Sequence, residues 1–374
     1  MKIAFLMPSY VWTPSGGFRM VYEHANRLSA RGHEVTVVHP RKRVPPTEKL
    51  DLRTRVRKLR EWPREMVMTP NIEWHKIDPK VQITFVPTSQ PTFIPDGDIL
   101  FATSWHTVPS VLNCPDSKGV KCYFIQSYEV WQGPRAVVDA TWKAPLRKVA
   151  ISKSLVEIGK GLGCTNITYI PNGIDQDRYR LVRAIEGRER IVAMMCSPTP
   201  LKGSIDGVQA MEMARARFPE VKFICFGISA RPRWCPNWIE YHHNPSQDFL
   251  IEEIYNKAAV LISSSWTEGF ALPPAEAAAC GCAIVATDSG GIRDFIEDGV
   301  TGLLSPPKNP AALAENLCLV LGDEALRVRL AEAANTRIKG FNWEHSNELM
   351  EFFIRQVAKS PQERMREEIT QGVE

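Results

Sequence analysis

The sequence is short of the features that would mark a metalloprotein, a disulfide scaffold or a membrane protein. Its nine cysteines include no C-x2-C pair. The closest two, Cys280 and Cys282, flank Gly281 where a helix is expected to end, so reduced and partly buried thiols are expected. His242 and His243 stand together without a cysteine or carboxylate at metal-ligand spacing, and no metal is expected. No stretch approaches the roughly 18 consecutive apolar residues that a membrane-spanning helix requires. The first apolar run, over 3–7, halts at Pro8 and is too short for a signal-peptide core. A cytoplasmic protein is therefore expected. Net charge is only +4 over 374 residues. Nucleic acid demands charge concentrated on one face, so no nucleic-acid partner is expected.

What is present is globular composition, 44% hydrophobic and 24% charged, and a length that at roughly 150 residues per domain implies about two domains. Apolar, β-branched runs over 3–7, 35–38, 82–86, 99–102, 121–125 and 149–151 alternate with segments of helical period, the first over about 18–30. The rhythm breaks at a turn cluster over 170–175. It restarts with 191–195, a helix over about 204–217, and runs over 221–226, 260–263, 283–286 and 302–304. Beyond Pro310 the chain reads as helical nearly to its end. Alternation of this kind implies parallel sheets covered on both faces by helices. The expected fold class is α/β, with two doubly wound, Rossmann-like domains facing a central cleft. Their expected bounds are 1–172 and 173–344, and a helical segment over 345–374 is expected to cross back to the first domain. Ligands of such sheets bind outside the carboxyl ends of the strands.

Chemistry concentrates where Glu268 and Glu276 bracket the run Gly269-Phe270-Ala271-Leu272-Pro273-Pro274. Pro274 suits the first turn of a helix, Ala275 to Ala279 are strong helix formers, and Gly281 supplies a stop. Free N–H groups at such an N-terminus, with the helix dipole, favour a diphosphate, and Gly269 permits close backbone approach. Both carboxylates could accept hydroxyls of a sugar or ribose. The alternative is a dipole-favoured Glu276 and a solvated Glu268. A capping box does not support it, because Pro273 stands where Ser or Thr would be needed.

The run from Ser264 to Ala277, followed by Gly281, Asp288-Ser289-Gly290-Gly291-Ile292 and Asp298-Gly299-Val300-Thr301-Gly302-Leu303, resembles family 4 of the retaining glycosyltransferases. Further matches are Gly16-Gly17, Arg31-Gly32-His33-Glu34-Val35, Ile151-Ser152-Lys153-Ser154, Pro171-Asn172-Gly173-Ile174-Asp175 and Lys202-Gly203, in family order over nearly the whole chain. The resemblance implies a GT-B fold, with the donor on the C-terminal domain and the acceptor on the N-terminal one. It matches Glu276 to the glutamate that binds ribose, Glu268 to the one near the donor sugar, Gly269, Phe270, Ala271 and Leu272 to the sugar and phosphate cradle, and Lys202 to the lysine on the diphosphate. A point positive charge there would offset charge building on the leaving group. A solvated lysine beside a turn glycine is the alternative. Gly16 and Gly17 suit a β-α turn passing close to ligand.

The pattern is not complete. Where the family carries Gly-Arg ahead of that lysine, this chain has Cys196 and Ser197. Arg231 or Arg233 is a candidate replacement, against a plain surface role. The family histidine at the end of an N-domain strand aligns with Thr103, and His106 lies three residues on, either in the cleft or as an ordinary loop residue. Asp96-Gly97-Asp98 and Asp175-Gln176-Asp177 imitate a metal-binding D-x-D but read as turns. The candidate catalytic residues are thus Lys202, Glu268 and His106. The candidate binding residues are Gly16, Gly17, Ser197, Arg231, Gly269, Phe270, Ala271, Leu272 and Glu276.

Between Arg41 and Arg64 lie ten Lys or Arg residues, with Leu52, Val56 and Leu59 at helical spacing and Trp62 beyond. That stretch reads as a surface for anionic lipid at the inner face of the membrane, as a solvated helix, or as a holder of an acidic acceptor. The implied activity is metal-independent, retaining transfer of a hexosyl or deoxyhexosyl group. The donor is a nucleoside diphosphate sugar serving as co-substrate, with no separate cofactor, and the acceptor is a sugar, lipid-linked or other hydroxyl. The setting implied is synthesis of cell-envelope polysaccharide, glycolipid or a related glycoconjugate. Two rivals stay open: a nucleotide-sugar epimerase of the same fold, and a non-catalytic nucleotide-sugar binding subunit.

Overall fold

The structure, a computed structural model, describes residues 1–41 and 72–359. The basic stretch therefore lies outside the described residues except for Arg41. The chain divides into two compact units. The first comprises Met1–Ile151, Leu155–Ile170 and the chain from Asn347 on; the second comprises Ser152–Ser154 and Pro171–Ser346.

Unit 1 is built on seven strands, β1 (Lys2–Leu6), β2 (Glu34–Pro40), β3 (Gln82–Val86), β4 (Ile99–Ala102), β5 (Val120–Ile125), β6 (Arg147–Ala150) and β7 (Ile167–Tyr169). They lie in the order β3-β2-β1-β4-β5-β6-β7, and every pairing is parallel. Central strands read as unbroken apolar runs because both faces of a parallel sheet are covered; β4 is buried at every position. The helix Gly16–Ala30 places Met20, Val21, Tyr22, Ala25 and Leu28 on one stripe against the sheet. Phe5 stacks on Phe101 at 4.9 Å, and Phe101 meets Phe353 at 6.2 Å. The last helix, Trp343–Ala358, thus completes this core. Its Glu351 accepts from Arg31 at 2.6 Å and Arg355 at 2.6 Å, and those two guanidinium groups hold its carboxyl down at about 2.

Unit 2 has six strands, β8 (Ile191–Met195), β9 (Lys222–Gly227), β10 (Glu240–His243), β11 (Val260–Ser263), β12 (Ala283–Thr287) and β13 (Leu303–Ser305). Their order is β10-β9-β8-β11-β12-β13, again parallel throughout. The charged stretch ahead of β8 has a structural task. Arg188 donates to the carbonyls of Tyr255 and Ala258 at 3.0 Å and of Cys280 at 2.6 Å, satisfying acceptors that no ladder reaches.

Both sheets are doubly wound, as the alternation of elements leads one to expect. Sequence order reverses between β1 and β4 in one and between β8 and β11 in the other, and ligands of open parallel sheets bind at such points. The two D-x-D look-alikes are occupied by local bonds. Asp98 accepts the Lys2 amide at 2.7 Å, Asp96 pairs with Lys118 at 2.9 Å, and Asp175 accepts the Arg178 amide at 3.1 Å. His242, which stood without a partner at ligand spacing, pairs with Glu240 at 2.8 Å. Among the described residues no three His, Cys, Asp or Glu side chains form a metal-binding group.

Candidate functional site

The reversal between β8 and β11 opens a pocket lined by Met195, Lys202, Ser263, Ser265, Glu268 and Pro274, among others. Lys202 enters it from a short 3-10 turn, Pro200–Lys202, which ends on Gly203 in the left-handed region at φ 55°. Only glycine fits there, since a Cβ would lie 2.0 Å from the Ser264 carbonyl oxygen. Trp266 clamps the same turn from the β11 side. Its backbone N–H donates to Leu201 at 2.8 Å, and its indole N–H donates to Asp206 at 2.7 Å. So held, Lys202 Nζ meets Glu268 Oε1 at 2.6 Å across 66 residues of sequence.

Glu268 is fixed through its backbone. Its N–H donates to Ser289 at 2.8 Å, and its carbonyl accepts the Gly291 N–H at 3.2 Å. Gly291 presses so closely that a Cβ would stand 2.2 Å from the Gly269 oxygen. The tight fit that requires a glycine is therefore at Gly291, in the loop after β12, which Gly269 faces. Next, Ala271 takes φ 69° and caps the helix Leu272–Ala279. A left-handed alanine is strained by about 1–2 kcal/mol, and such strain concentrates at functional sites. The helix begins at Leu272, two residues before Pro274, with Pro273 and Pro274 both inside its first turn, where missing N–H groups cost nothing. Glu276 is 4% exposed on this helix. Burial, and next the Glu276 carboxylate, push the Tyr255 hydroxyl well up.

The structure thus brings together Lys202, Glu268, the Gly269–Leu272 turn and the start of the helix that carries Glu276. Ser197 lies after β8, but its hydroxyl accepts the Thr199 amide at 3.2 Å and its own N–H goes to Ser204 Oγ at 2.9 Å. Arg231 is exposed in the loop after β9, where it donates to the Pro236 carbonyl. Arg233 is exposed in the same loop. The neighbouring Cys225 thiol, and less so the Arg231 charge, draw the Cys235 thiol below its ordinary value despite burial.

The remaining candidates belong to unit 1. Gly16 and Gly17 open the helix after β1, and the Gln126 side chain packs against Gly17. Thr103, the aligned position of the family histidine, spends its hydroxyl on the Leu6 carbonyl at 2.8 Å. His106 is buried, its ring tilted by 30° against that of Trp105 at 3.9 Å, with Nε2 3.3 Å from Gln132 Oε1. Glu129 ties this loop by accepting from Ser104 Oγ at 3.1 Å and the Trp105 amide at 3.1 Å. Sequence reasoning left Trp266, Asp206 and Gly291 without site roles. Trp266 and Gly291 stood inside quoted motifs, yet what each holds depends on which strands are neighbours.

Two doubly wound α/β units, the second with a cation, a carboxylate and a helix N-terminus at its switch point, define a protein of the GT-B class. Family models agree on both halves. Glycosyltransferase Family 4 matches residues 14–178, and Glycosyl transferases group 1 matches residues 175–337. The chain belongs to the family 4, group 1 glycosyltransferases.

A D-inositol 3-phosphate glycosyltransferase of Frankia alni is 37% identical over 99 residues, 26% of this chain and 24% of that protein. One of Xylanimonas cellulosilytica is 36% identical over 28% of this chain and 25% of that protein. Each match therefore spans about a quarter of the relative's length. Among solved structures, sucrose-phosphate synthase of Thermosynechococcus elongatus superposes with TM-score 0.72 at 17% identity, covering 95% of this chain and 98% of that one. HepE of Anabaena, in complex with UDP-glucose, superposes with TM-score 0.68 at 15% identity, covering 94% and 99%. Those likenesses establish the fold.

Proposed function

We propose that the chain transfers a hexosyl or deoxyhexosyl group from a nucleoside diphosphate sugar to an acceptor hydroxyl with retention of anomeric configuration. No metal or separate cofactor takes part. The observation that carries the reading is the Lys202–Glu268 pair at 2.6 Å, set at a topological switch point beside the start of the helix Leu272–Ala279. A diphosphate there meets the Lys202 ammonium and the positive end of the helix dipole. Glu276 accepts the ribose hydroxyls. Glu268 orients Lys202 and accepts a hydroxyl of the donor sugar. As the bond from the anomeric carbon to the phosphate oxygen breaks, Lys202 and the helix N-terminus stabilise the departing nucleoside diphosphate. That phosphate takes the proton of the attacking acceptor hydroxyl on the same face.

Thermal shift against a panel of nucleoside diphosphate sugars identifies the donor, because a ligand of the folded state alone raises stability by RT ln(1 + [L]/Kd). UDP-glucose heads the panel, since HepE was solved with it, and D-inositol 3-phosphate heads the acceptors. With donor and acceptor in hand, Lys202→Ala is expected to lower kcat by about 10²–10³-fold. Glu276→Ala is expected to raise the donor KM, and NMR of the product is expected to show the donor's anomeric configuration kept. Unchanged transfer from a saturating donor in both variants sinks the proposal.

The cation set favours one second reading, a non-catalytic nucleotide-sugar binding subunit. Cys196 and Ser197 stand where the family has Gly-Arg, and Arg231 is turned onto Pro236. Tight donor binding without turnover against any acceptor pool would decide for it. Cell-envelope glycoconjugate synthesis at the inner face of the membrane, through 41–64, is the setting we propose; co-sedimentation with anionic vesicles tests the surface contact.

A further inference from the structure

The loop after β1 carries an aromatic side chain that the fold holds out to solvent. It runs from Met7 to Ser15, outside the carboxyl end of β1, on the ligand side of a doubly wound sheet. Two side chains from elsewhere in unit 1 pin it. The His39 ring bonds the Ser9 carbonyl at 2.8 Å, and the Trp74 indole N–H donates to the Val11 carbonyl at 3.2 Å. Tyr10 packs edge-on against Phe85 at 6.1 Å and against Trp12 at 5.3 Å. Trp12 is 48% exposed. A loop fixed at three successive residues to keep a tryptophan in water is a surface built to meet something apolar and flat.

The surroundings narrow the class. Thr13, Pro14 and Gly16 are exposed, and Ser15 and Ser9 half-buried, so the loop residues that flank Trp12 in sequence are small or hydroxyl-bearing. An acyl or prenyl chain needs a continuous apolar groove. The other large exposed hydrophobics described in unit 1, Phe93, Trp131, Val137 and Phe352, are not on this loop. A single exposed aromatic on a loop of small and hydroxyl-bearing residues fits a pyranose ring, which offers a patch of C–H groups on one side and hydroxyls round its edge. We propose that Trp12 is the stacking platform for a pyranose ring of a saccharide. That this saccharide is the acceptor rests on the transferase reading; that the site takes a sugar does not.

The test uses the full chain, with an oligosaccharide array as the probe and vesicles of phosphatidylglycerol as the lipid arm. The wild type is expected to retain at least one array member. Trp12→Ala is expected to weaken that binding by about tenfold or more with its melting midpoint unchanged, while Trp12→Phe keeps most of it. Lys202→Ala is expected to bind the same saccharide as the wild type and to lose only the donor thermal shift. No array member retained, equal retention by Trp12→Ala, or vesicle binding lost with Trp12 in place of saccharide binding would each overturn the platform. Failure of every nucleoside diphosphate sugar to shift the melting midpoint would remove the donor reading and leave the Trp12 comparison intact.

Discussion

His39 is fully buried between Phe18 and Phe85 and bonded at both ring nitrogens. A carbonyl can only accept, so Nδ1 carries the proton given to Ser9, and the bare Nε2 accepts the Tyr22 hydroxyl at 3.2 Å. Burial outweighs the Ser9 bond and draws the ring down to about 4. The unfolded ring titrates near 6.5, so between those values the unfolded chain binds the extra proton. Stability from this residue is complete above about 6.5 and is lost as pH falls toward 4, by about 3 kcal/mol at most. His24, also drawn down by burial, acts in the same direction. His39→Gln preserves a donor and an acceptor without titrating. Urea unfolding of unit 1 at pH 7 and pH 4.5 should therefore show a smaller loss in that variant than in the wild type. An equal loss would assign the acid sensitivity elsewhere.

At the scale of elements, the donor site depends on how closely two loops approach. Gly291→Ala drives a methyl to 2.2 Å from the Gly269 oxygen, where backbone must move. The expected cost is about 2 kcal/mol or more, together with loss of the donor thermal shift. Gly299 is the control. Its φ is +73° and nothing lies within 4 Å of an added Cβ, so alanine there should cost about 1 kcal/mol from backbone strain alone and leave donor binding intact.

The same contrast explains what could be read beforehand. Strands such as β4 and β11 announce themselves as apolar runs because both faces are buried. Ile167–Tyr169 and Glu240–His243 do not, since each is a short edge strand with exposed or half-buried side chains, recruited by its neighbour. The helical stretch beyond Pro310 is three helices, and the first break is legible in hindsight: Gly322 ends one and Asp323 caps the next by accepting the Leu326 amide. Glu268, Glu276 and Lys202 were found by motif. The meeting of Lys202 with Glu268 follows from β8 lying beside β11, and long-range strand order leaves no local trace in composition or period.

At the scale of the whole chain, the last described helix is divided between the units, with Trp343 to Ser346 in unit 2 and Asn347 onward in unit 1. Trp343 is buried and lies where Gly173 leaves room for it, since a Cβ on that glycine would stand 2.6 Å from the ring. Further along, Met350, Phe353, Ile354 and Val357 are buried, and Glu351 gathers Arg31 and Arg355. A chain ending at Ser346 keeps every residue of unit 2 and strips unit 1 of these side chains. Removing even one large core residue costs about 3–5 kcal/mol, against a typical total of about 5–15 kcal/mol for a domain. Hydrogen exchange on the shortened chain should therefore show protection lost in β1, β4 and Gly16–Ala30 while β8 and β11 remain protected. The donor thermal shift should survive, because Lys202, Glu268 and Glu276 all lie in unit 2. Uniform loss of protection would mean that unit 2 does not fold without an intact unit 1. Protection retained in β1 and β4 would mean that the terminal helix is dispensable to that core. Phe353→Ala in the full chain separates these outcomes, since it removes only the ring facing Phe101 and should lower protection in unit 1 alone.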